Sequence, residues 1–243
     1  MTQDGSKGNR VALVTGAAKG MGRAIALALS RQVSGIAVHY RGSSKEAGET
    51  VGEIERLGKR AVSFGADLTD ERRAADLVRK VEETFGRLDV LVNNIGPFLV
   101  KPWQELTGAD WDGMFRGVLE SAHFCMKAAL PGMRSRGWGR VINIGYSRAE
   151  QLGSFPTIVP YAIAKTGLLI LTRTAAVSEV ANGVTINMVS PGLMEDGVLP
   201  PGKIPPAAIG TFADVAEAVA FLASEEAKAV TGTNLLVAGT WKM

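Results

Sequence analysis

Cysteine and histidine are scarce in this sequence, and their scarcity excludes several kinds of site. Cys125 is the single cysteine among 243 residues, so the chain can form no internal disulfide and no cysteine-based zinc site. His39 and His123 are the two histidines, which are too few for a histidine-rich metal centre. We therefore expect no metal site.

Strong charge and long apolar runs are also lacking. The net charge is only +3, which is too small to indicate nucleic acid or an anionic lipid surface as a partner. No apolar run approaches the length of a membrane span, and Met1–Asn9 is polar rather than signal-like. We expect a disordered tail over residues 1–9, one domain over residues 10–243, a cytosolic location, and neither membrane nor nucleic-acid partners.

Apolar segments alternate with helical segments along the chain, which is 46% hydrophobic and 21% charged. The predicted strands are Val11–Val14, Gly35–Tyr40, Arg60–Phe64, Leu88–Val92, Arg140–Ile144, Val184–Val189 and Asn234–Val237. The predicted helices include a long helical region over Trp103–Arg134, interrupted at Pro131, and another over Pro160–Val180. This alternation predicts an α/β fold, a doubly wound, seven-stranded parallel sheet with helices on both faces.

A glycine turn follows the first predicted strand, Val11–Val14. Gly16, Gly20 and Gly22 make up this turn, and a helix begins at about Met21. The unpaired N–H groups at such a helix start favour a phosphate, and glycine lets the backbone approach it closely. The spacing G-x-x-x-G-x-G indicates dinucleotide binding, although a purely structural turn could use the same residues.

Proline and glycine concentrate in one irregular segment, Leu193–Gly210. It follows the sixth strand, at the carboxyl end of the sheet, where ligands bind in such folds. A loop this long is either an active-site lid or a disordered segment, and we favour a lid over about residues 193–210. Its apolar residues suit a partly hydrophobic ligand. They are Leu193, Met194, Val198, Leu199 and Ile204.

Four short motifs occur in order along the chain, each in its expected strand or helix context. They are T-G-A-A-K-G-M-G from Thr15, N-N-I-G from Asn93, Y-A-I-A-K from Tyr161 and P-G from Pro191. Together they resemble the short-chain dehydrogenase/reductase family, in particular its 3-oxoacyl-(acyl-carrier-protein) reductase-like members. The resemblance implies a Rossmann-like fold and a homodimer or homotetramer that pairs through the two long helices.

By this resemblance Tyr161 is the catalytic acid, and Lys165 is its partner and a ligand of the nicotinamide ribose. Residues at positions i and i+4 share one face of a helix, so both side chains can enter the same cleft. A free phenol has a pKa near 10, and a nearby ammonium stabilises the phenolate. We expect Lys165 to bring the pKa of the Tyr161 phenol closer to the operating pH, although a Tyr/Lys pair on the protein surface would have the same spacing.

The resemblance also assigns the cofactor residues. The pyrophosphate turn is Gly16, Gly20, Met21 and Gly22, the adenine contacts are Asp67 and Leu68, the adenosine ribose lies beside Asn94 and Gly96, and the nicotinamide lies beside Pro191 and Gly192. The second strand ends without the acid that would bind a ribose 2′-hydroxyl and repel a 2′-phosphate. Arg41 and Lys19 could clamp a 2′-phosphate, with Ser43 donating a hydrogen bond. We therefore predict NADP(H), although both cations could instead be solvated surface residues.

The family's catalytic serine has no clear counterpart here. Counting forward from the fifth strand places Tyr146 at its position, and counting back from Tyr161 places Arg148 there. Ser147 lies between the two and is our candidate catalytic hydroxyl, with Tyr146 as the alternative. An ordinary loop hydroxyl is an equal reading of Ser147.

Val118 is a second departure from the family pattern. It stands where the family has an asparagine that holds a water chain from the lysine, and valine offers no donor or acceptor. Of the histidines, we interpret His39 as a strand residue and His123 as a partly buried helix residue. Neither has an evident catalytic partner.

These features predict an NADP(H)-dependent oxidoreductase that reduces a ketone or 3-oxoacyl carbonyl to an alcohol. The expected partner is a small carbonyl substrate, with an acyl thioester as one candidate. Two alternatives remain open. One is a reductase of C=N or C=C bonds, similar to pteridine reductases. The other is a catalytically weak NADP(H)-binding sensor or scaffold.

Overall fold

A computed structural model describes residues 9–197, 204–239 and 241. Seven strands form one parallel sheet in the order β3-β2-β1-β4-β5-β6-β9, and two short strands, β7 and β8, form a separate ribbon. The strands are β1 Val11–Val14, β2 Gly35–Tyr40, β3 Arg60–Gly65, β4 Val90–Asn93, β5 Gly139–Ile144, β6 Val184–Pro191, β7 Leu193–Met194, β8 Ile209–Gly210 and β9 Asn234–Val237. The predicted seven-stranded parallel sheet is confirmed. The tail predicted over residues 1–9 lies, apart from Asn9, outside the described residues.

Helices cover both faces of the sheet. They are α1 Gly20–Ser30, α2 Ser44–Arg56, α3 Glu71–Phe85, α4 Gly108–Phe115, α5 Ser121–Arg136, α6 Val159–Glu179 and α7 Phe212–Ala223. Alternate residues of a strand point to opposite faces. Accordingly, Ala12 and Val14 pack into one core with α1 and α7, whereas Val11 and Leu13 pack into another with α3 and α5.

The predicted break at Pro131 is wrong, because α5 continues through this proline to Arg136. Buried residues on both sides of Pro131 keep this segment packed on the sheet. The interruption lies earlier, in the π-helical turn Arg116–Glu120 between α4 and α5. A Cβ on Gly117 in this turn would overlap the Pro97 ring, so the wider turn sits tightly against the loop after β4.

The segment predicted to be a lid is described only in part, because residues 198–203 lie outside the described residues. On either side of them, Leu193 pairs with Ile209 and Met194 pairs with Gly210 in the parallel ribbon of β7 and β8. The predicted lid residues Val198 and Leu199 are among those not described.

Candidate active site

The candidate site lies at the carboxyl ends of β1 and β4, which are neighbours in the sheet. The chain after β1 continues on one face of the sheet, and the chain after β4 continues on the other. Thr15 follows β1, and its hydroxyl accepts hydrogen bonds from the backbone N–H groups of Asn94 at 2.9 Å and Ile95 at 3.2 Å. The side-chain amide of Asn94 in turn donates to the backbone carbonyl of Thr15 at 2.9 Å. In open parallel sheets, ligands bind in the crevice at such a switch point.

The glycine turn after β1 is tightly folded on itself. Gly16 has φ +64° and Gly20 has φ +56°, values in the left-handed region that favours glycine. A Cβ on Gly22 would overlap the carbonyl oxygen of Gly16 and crowd the Asn94 amide. The Asn94 amide therefore supports the turn itself, and the backbone of the turn fits a closely approaching pyrophosphate.

A cavity of about 630 Å³ extends from this turn along the carboxyl ends of β2 and β3. Among its lining residues are five of the predicted cofactor residues, Gly16, Arg41, Asp67, Leu68 and Gly96. Hydrogen bonds from the Thr69 hydroxyl and backbone, at 2.8 and 3.1 Å, hold the pKa of the Asp67 carboxyl below its usual value, and the Arg41 guanidinium adds to this effect. Lys19 and Ser43 are not among the residues that line the cavity, and Lys19 is exposed.

His39 is a structural element of this cavity that sequence reasoning missed. It is a strand residue, as expected, but its ring is fully buried and bonded to two cofactor segments. The Gly16 N–H donates to Nδ1 at 3.1 Å, and Nε2 lies 3.1 Å from the carbonyl oxygen of Ala66. His123, predicted to be partly buried, is exposed instead, because it lies on the outer face of α5.

A second cavity, of about 780 Å³, adjoins the first at Gly96. The predicted residues that line it are Met21, Asn94, Gly96, Tyr161, Lys165, Pro191 and Gly192. Gly20 and Gly22 do not line either cavity. Tyr161 and Lys165 lie one turn apart on α6, so the helix brings both side chains to the same wall.

Lys165 is buried, and its ammonium Nζ donates to the carbonyl of Ile144 at 2.6 Å. Burial lowers the pKa of Lys165 to about 8. Burial also raises the pKa of Tyr161 well above its ordinary value, and the neighbouring Tyr146 adds to this rise. The expectation that the pKa of the Tyr161 phenol lies closer to neutrality is wrong for this structure, because burial disfavours the phenolate.

Tyr146, and not Ser147, faces the second cavity. Its ring centroid lies 5.4 Å from that of Tyr161, in an edge-to-face contact. The backbone of Ser147 bonds to Pro191, but its buried hydroxyl finds no hydrogen-bond partner among the described residues. The structure therefore brings Tyr146 to the Tyr161–Lys165 pair and leaves Ser147 behind the cavity wall.

Val118 is fully buried in the π-helical turn and packs next to the lysine. A Cβ on Gly96 would lie 3.2 Å from Cγ2 of Val118 and 3.5 Å from Nζ of Lys165. Val118, an apolar side chain, and the Lys165 ammonium therefore both lie against Gly96. Val118 cannot hold the water that the family's asparagine holds.

The glycine turn at the switch point lies beside the partly buried Tyr161 and the buried Lys165. Such an arrangement suits a dinucleotide-dependent oxidoreductase. A family model described as enoyl-(acyl carrier protein) reductase matches residues 16–240. The chain is 35% identical to the 3-oxoacyl-(acyl-carrier-protein) reductase of Staphylococcus aureus, covering 96% of this chain and 98% of that relative. The chain belongs to the short-chain dehydrogenase/reductase family and is an oxidoreductase of that family.

Two solved structures show the same fold. A dehydrogenase/reductase from Sinorhizobium meliloti 1021 has a TM-score of 0.88 at 31% identity, covering 97% of this chain and 96% of that one. A blue fluorescent protein from a metagenomic library, solved in complex with NADPH, has a TM-score of 0.87 at 33% identity, covering 97% and 99%. In the part of our chain that the structure describes, no helix is long and apolar enough to cross a membrane.

We predict that Lys165→Met stabilises the protein. Keeping a charged ammonium buried is costly at pH 7, and removing it should raise the free energy of unfolding by roughly 2 kcal/mol. The cost exists below the folded pKa of about 8 and is relieved as pH rises toward the unfolded value near 10.5. The gain should therefore shrink at pH 10. Urea unfolding at both pH values measures it.

Lys80→Met, at an exposed position on α3, is the matched control and should change the free energy of unfolding by no more than about 0.5 kcal/mol. A Lys165→Met variant no more stable than the parent at pH 7, or equally stabilised at both pH values, would contradict a buried charge at this position.

Proposed function

We propose that this chain is an NADP(H)-dependent oxidoreductase that reduces a carbonyl of the ketone or 3-oxoacyl type to an alcohol. Tyr161 is the general acid, and Lys165 is its partner. The observation that carries the proposal is the position of this pair in the wall of a cavity that adjoins the glycine crevice at Gly96. A cofactor seated in the crevice and a substrate in the cavity would meet at these two side chains.

The cofactor is NADP(H), which supplies the hydride when bound. The α1 N-terminus and the turn of Gly16, Gly20 and Gly22 would hold the pyrophosphate. The exposed cations Arg41 and Lys19 would pair with the 2′-phosphate, since no acid follows β2 to oppose it. The NADPH complex of the metagenomic relative supports this choice.

Tyr161 holds the proton that the substrate oxygen receives. Because burial raises its pKa above the ordinary value for a phenol, Tyr161 stays protonated at neutral pH and can donate a hydrogen bond to a carbonyl oxygen. As negative charge develops on that oxygen, the proton moves from the phenol to it. The Lys165 ammonium is then the nearby positive charge that stabilises the phenolate.

Tyr146 is our candidate for the role of the family's serine, which is to orient the substrate carbonyl. It lines the cavity beside Tyr161, and a phenol can donate the hydrogen bond that a serine hydroxyl would donate. Ser147, the hydroxyl favoured from the sequence, stays a prediction, but its place behind the wall does not support it.

The walls of the cavity suit a carbonyl attached to an apolar or planar group. Phe98 packs edge-on against Tyr161 with ring centroids 4.9 Å apart, and Phe155 lies 6.4 Å from Tyr146. The Arg148 guanidinium lies over Phe155 at 4.6 Å. Such an aromatic surface accepts ketones and 3-oxoacyl groups, and the S. aureus relative is named for a 3-oxoacyl thioester.

Reduction of a C=C or C=N bond is a second candidate. The matching family model is described as an enoyl reductase, and Tyr146 in place of serine suits an acceptor that needs no carbonyl-orienting serine. The same assays separate the two candidates, because enoyl thioesters and cyclic imines can be tested beside ketones.

Assembly, domain organisation and location are part of the same proposal. Ile163, Ile170 and Val177 repeat every seven residues on α6 and are exposed, which supports pairing of copies through this helix in a homodimer or homotetramer. A single domain over residues 10–243, with its lid, and a cytosolic location stay predictions.

We expect NADPH oxidation with some members of a panel of ketones and 3-oxoacyl thioesters, and strong dependence on both tyrosines. Tyr161→Phe removes the proton donor and should lower kcat at least about a hundredfold. Tyr146→Phe removes one hydrogen bond and should lower it about tenfold. Ser147→Ala, the matched control, should stay within about twofold. Unchanged turnover in Tyr161→Phe, or no turnover of any acceptor by a parent that binds NADPH, would defeat the proposal.

Arg41 should decide the choice between the phosphorylated and unphosphorylated cofactor. In Arg41→Ala the Kd for NADPH should rise about tenfold, because a charge-assisted contact to the 2′-phosphate is lost. The Kd for NADH should barely change. Arg56→Ala, at another exposed arginine, controls for net charge. Fluorescence titration measures both ligands, and equal weakening of NADPH and NADH would refute a 2′-phosphate contact.

A further inference from the structure

His39 lies near the end of β2, which is placed between β1 and β3 in the sheet. The loops that follow β1 and β3 both line the cavity of about 630 Å³. Its ring is fully buried, and its two nitrogens reach in opposite directions. Nδ1 accepts from the N–H of Gly16, which opens the glycine turn after β1. Nε2 faces the carbonyl oxygen of Ala66, which directly precedes Asp67 and Leu68 after β3.

This arrangement fixes the protonation state of the ring. Nδ1 must lack a proton to accept from Gly16, so Nε2 carries one and donates to Ala66. A protonated ring would place two N–H donors against each other at Gly16. Only the neutral Nε2–H form therefore satisfies both segments, and both bonds are 3.1 Å long.

The surroundings keep the ring neutral. Burial lowers the pKa of His39 to about 4, although the Ala66 carbonyl and the Asp67 carboxylate favour the charged form. Two cations also lie close by along the chain, namely Arg41, directly after β2, and Lys19, in the glycine turn. Both are exposed. Over the ordinary working range of pH, the ring is therefore a fixed neutral connector.

We propose that His39 is a positioning residue that fixes the separation between two segments. They are the pyrophosphate turn, which begins at Gly16, and the loop of residues 66–68 after β3, here called the adenosine loop. The carbonyl of His39 also accepts from the N–H of Ala17 at 2.9 Å, so ring and backbone hold the turn together. A dinucleotide that spans both segments needs this separation, whereas a ligand of the adenosine loop alone does not. The inference rests on the proposed NADP(H) binding.

The test is calorimetric binding of two ligands, NADP⁺ and adenosine 2′-phosphate, at pH 7.5. His39→Leu removes both ring bonds and should weaken NADP⁺ binding about tenfold, but adenosine 2′-phosphate binding by less than about threefold. In His39→Asn the side-chain oxygen can still accept from Gly16, so NADP⁺ affinity should stay within about threefold of the parent. His123→Leu, at the exposed histidine, is the control and should change neither.

Nitrogen-15 NMR of the histidine-labelled parent supplies a second readout, which does not depend on the folding of His39→Leu. The His39 ring should show the neutral Nε2–H form from pH 7.5 down to pH 5, with its signals assigned by their absence in His39→Asn. A ring that titrates in this range, or that carries its proton on Nδ1, would overturn the proposal.

The binding results distinguish a failure of the positioning role of His39 from a failure of the proposed NADP(H)-dependent function. A parent that does not bind NADP⁺ overturns the proposed function, and this inference falls with it. A parent that binds NADP⁺, with His39→Leu binding it as tightly, overturns the positioning role alone. Equal weakening of NADP⁺ and adenosine 2′-phosphate would mean that the adenosine loop has collapsed, and it would also overturn the role.

Discussion

Thr15 joins the carboxyl ends of β1 and β4, and the arrangement of the site depends on that junction. Its hydroxyl accepts from the chain leaving β4, and its carbonyl accepts from the Asn94 amide. After β1 the chain enters α1 on one face of the sheet, whereas the chain after β4 continues to α5 on the other. The two loops must therefore separate just beyond the junction. The crevice opens there, with the glycine turn on one side and Gly96 on the other.

The proposed chemistry depends on the burial of Lys165. The ammonium is buried against the carbonyl of Ile144, with the apolar Val118 packed nearby. Burial also keeps the Tyr161 phenol protonated, which suits a proton donor in reduction. In the proposed function Tyr146 matters because it brings a second phenol to the wall that holds Tyr161.

Local patterns in the sequence predicted the sheet, the glycine turn and the Tyr161–Lys165 pair. Their information is contained in short spacings: apolar runs for strands, glycines before a helix, and a separation of four on one helix face. The π-helical turn was missed because it depends on Gly117 packing against Pro97, a contact between distant segments. The sequence left Ser147 and Tyr146 both open, because adjacent residues after a strand point to opposite sides and only the structure shows that Tyr146 lines the cavity. The bonds of His39 join three separate strands, and no local pattern records them.

The most direct test of the account is a crystal structure of the protein with NADP⁺ and a bound alcohol or ketone. The account predicts that the ligand oxygen lies within hydrogen-bond distance of the hydroxyls of Tyr161 and Tyr146, with Lys165 buried beneath them and Ser147 turned away. A ligand oxygen bonded to the Ser147 hydroxyl, with Tyr146 directed out of the cavity, would contradict it.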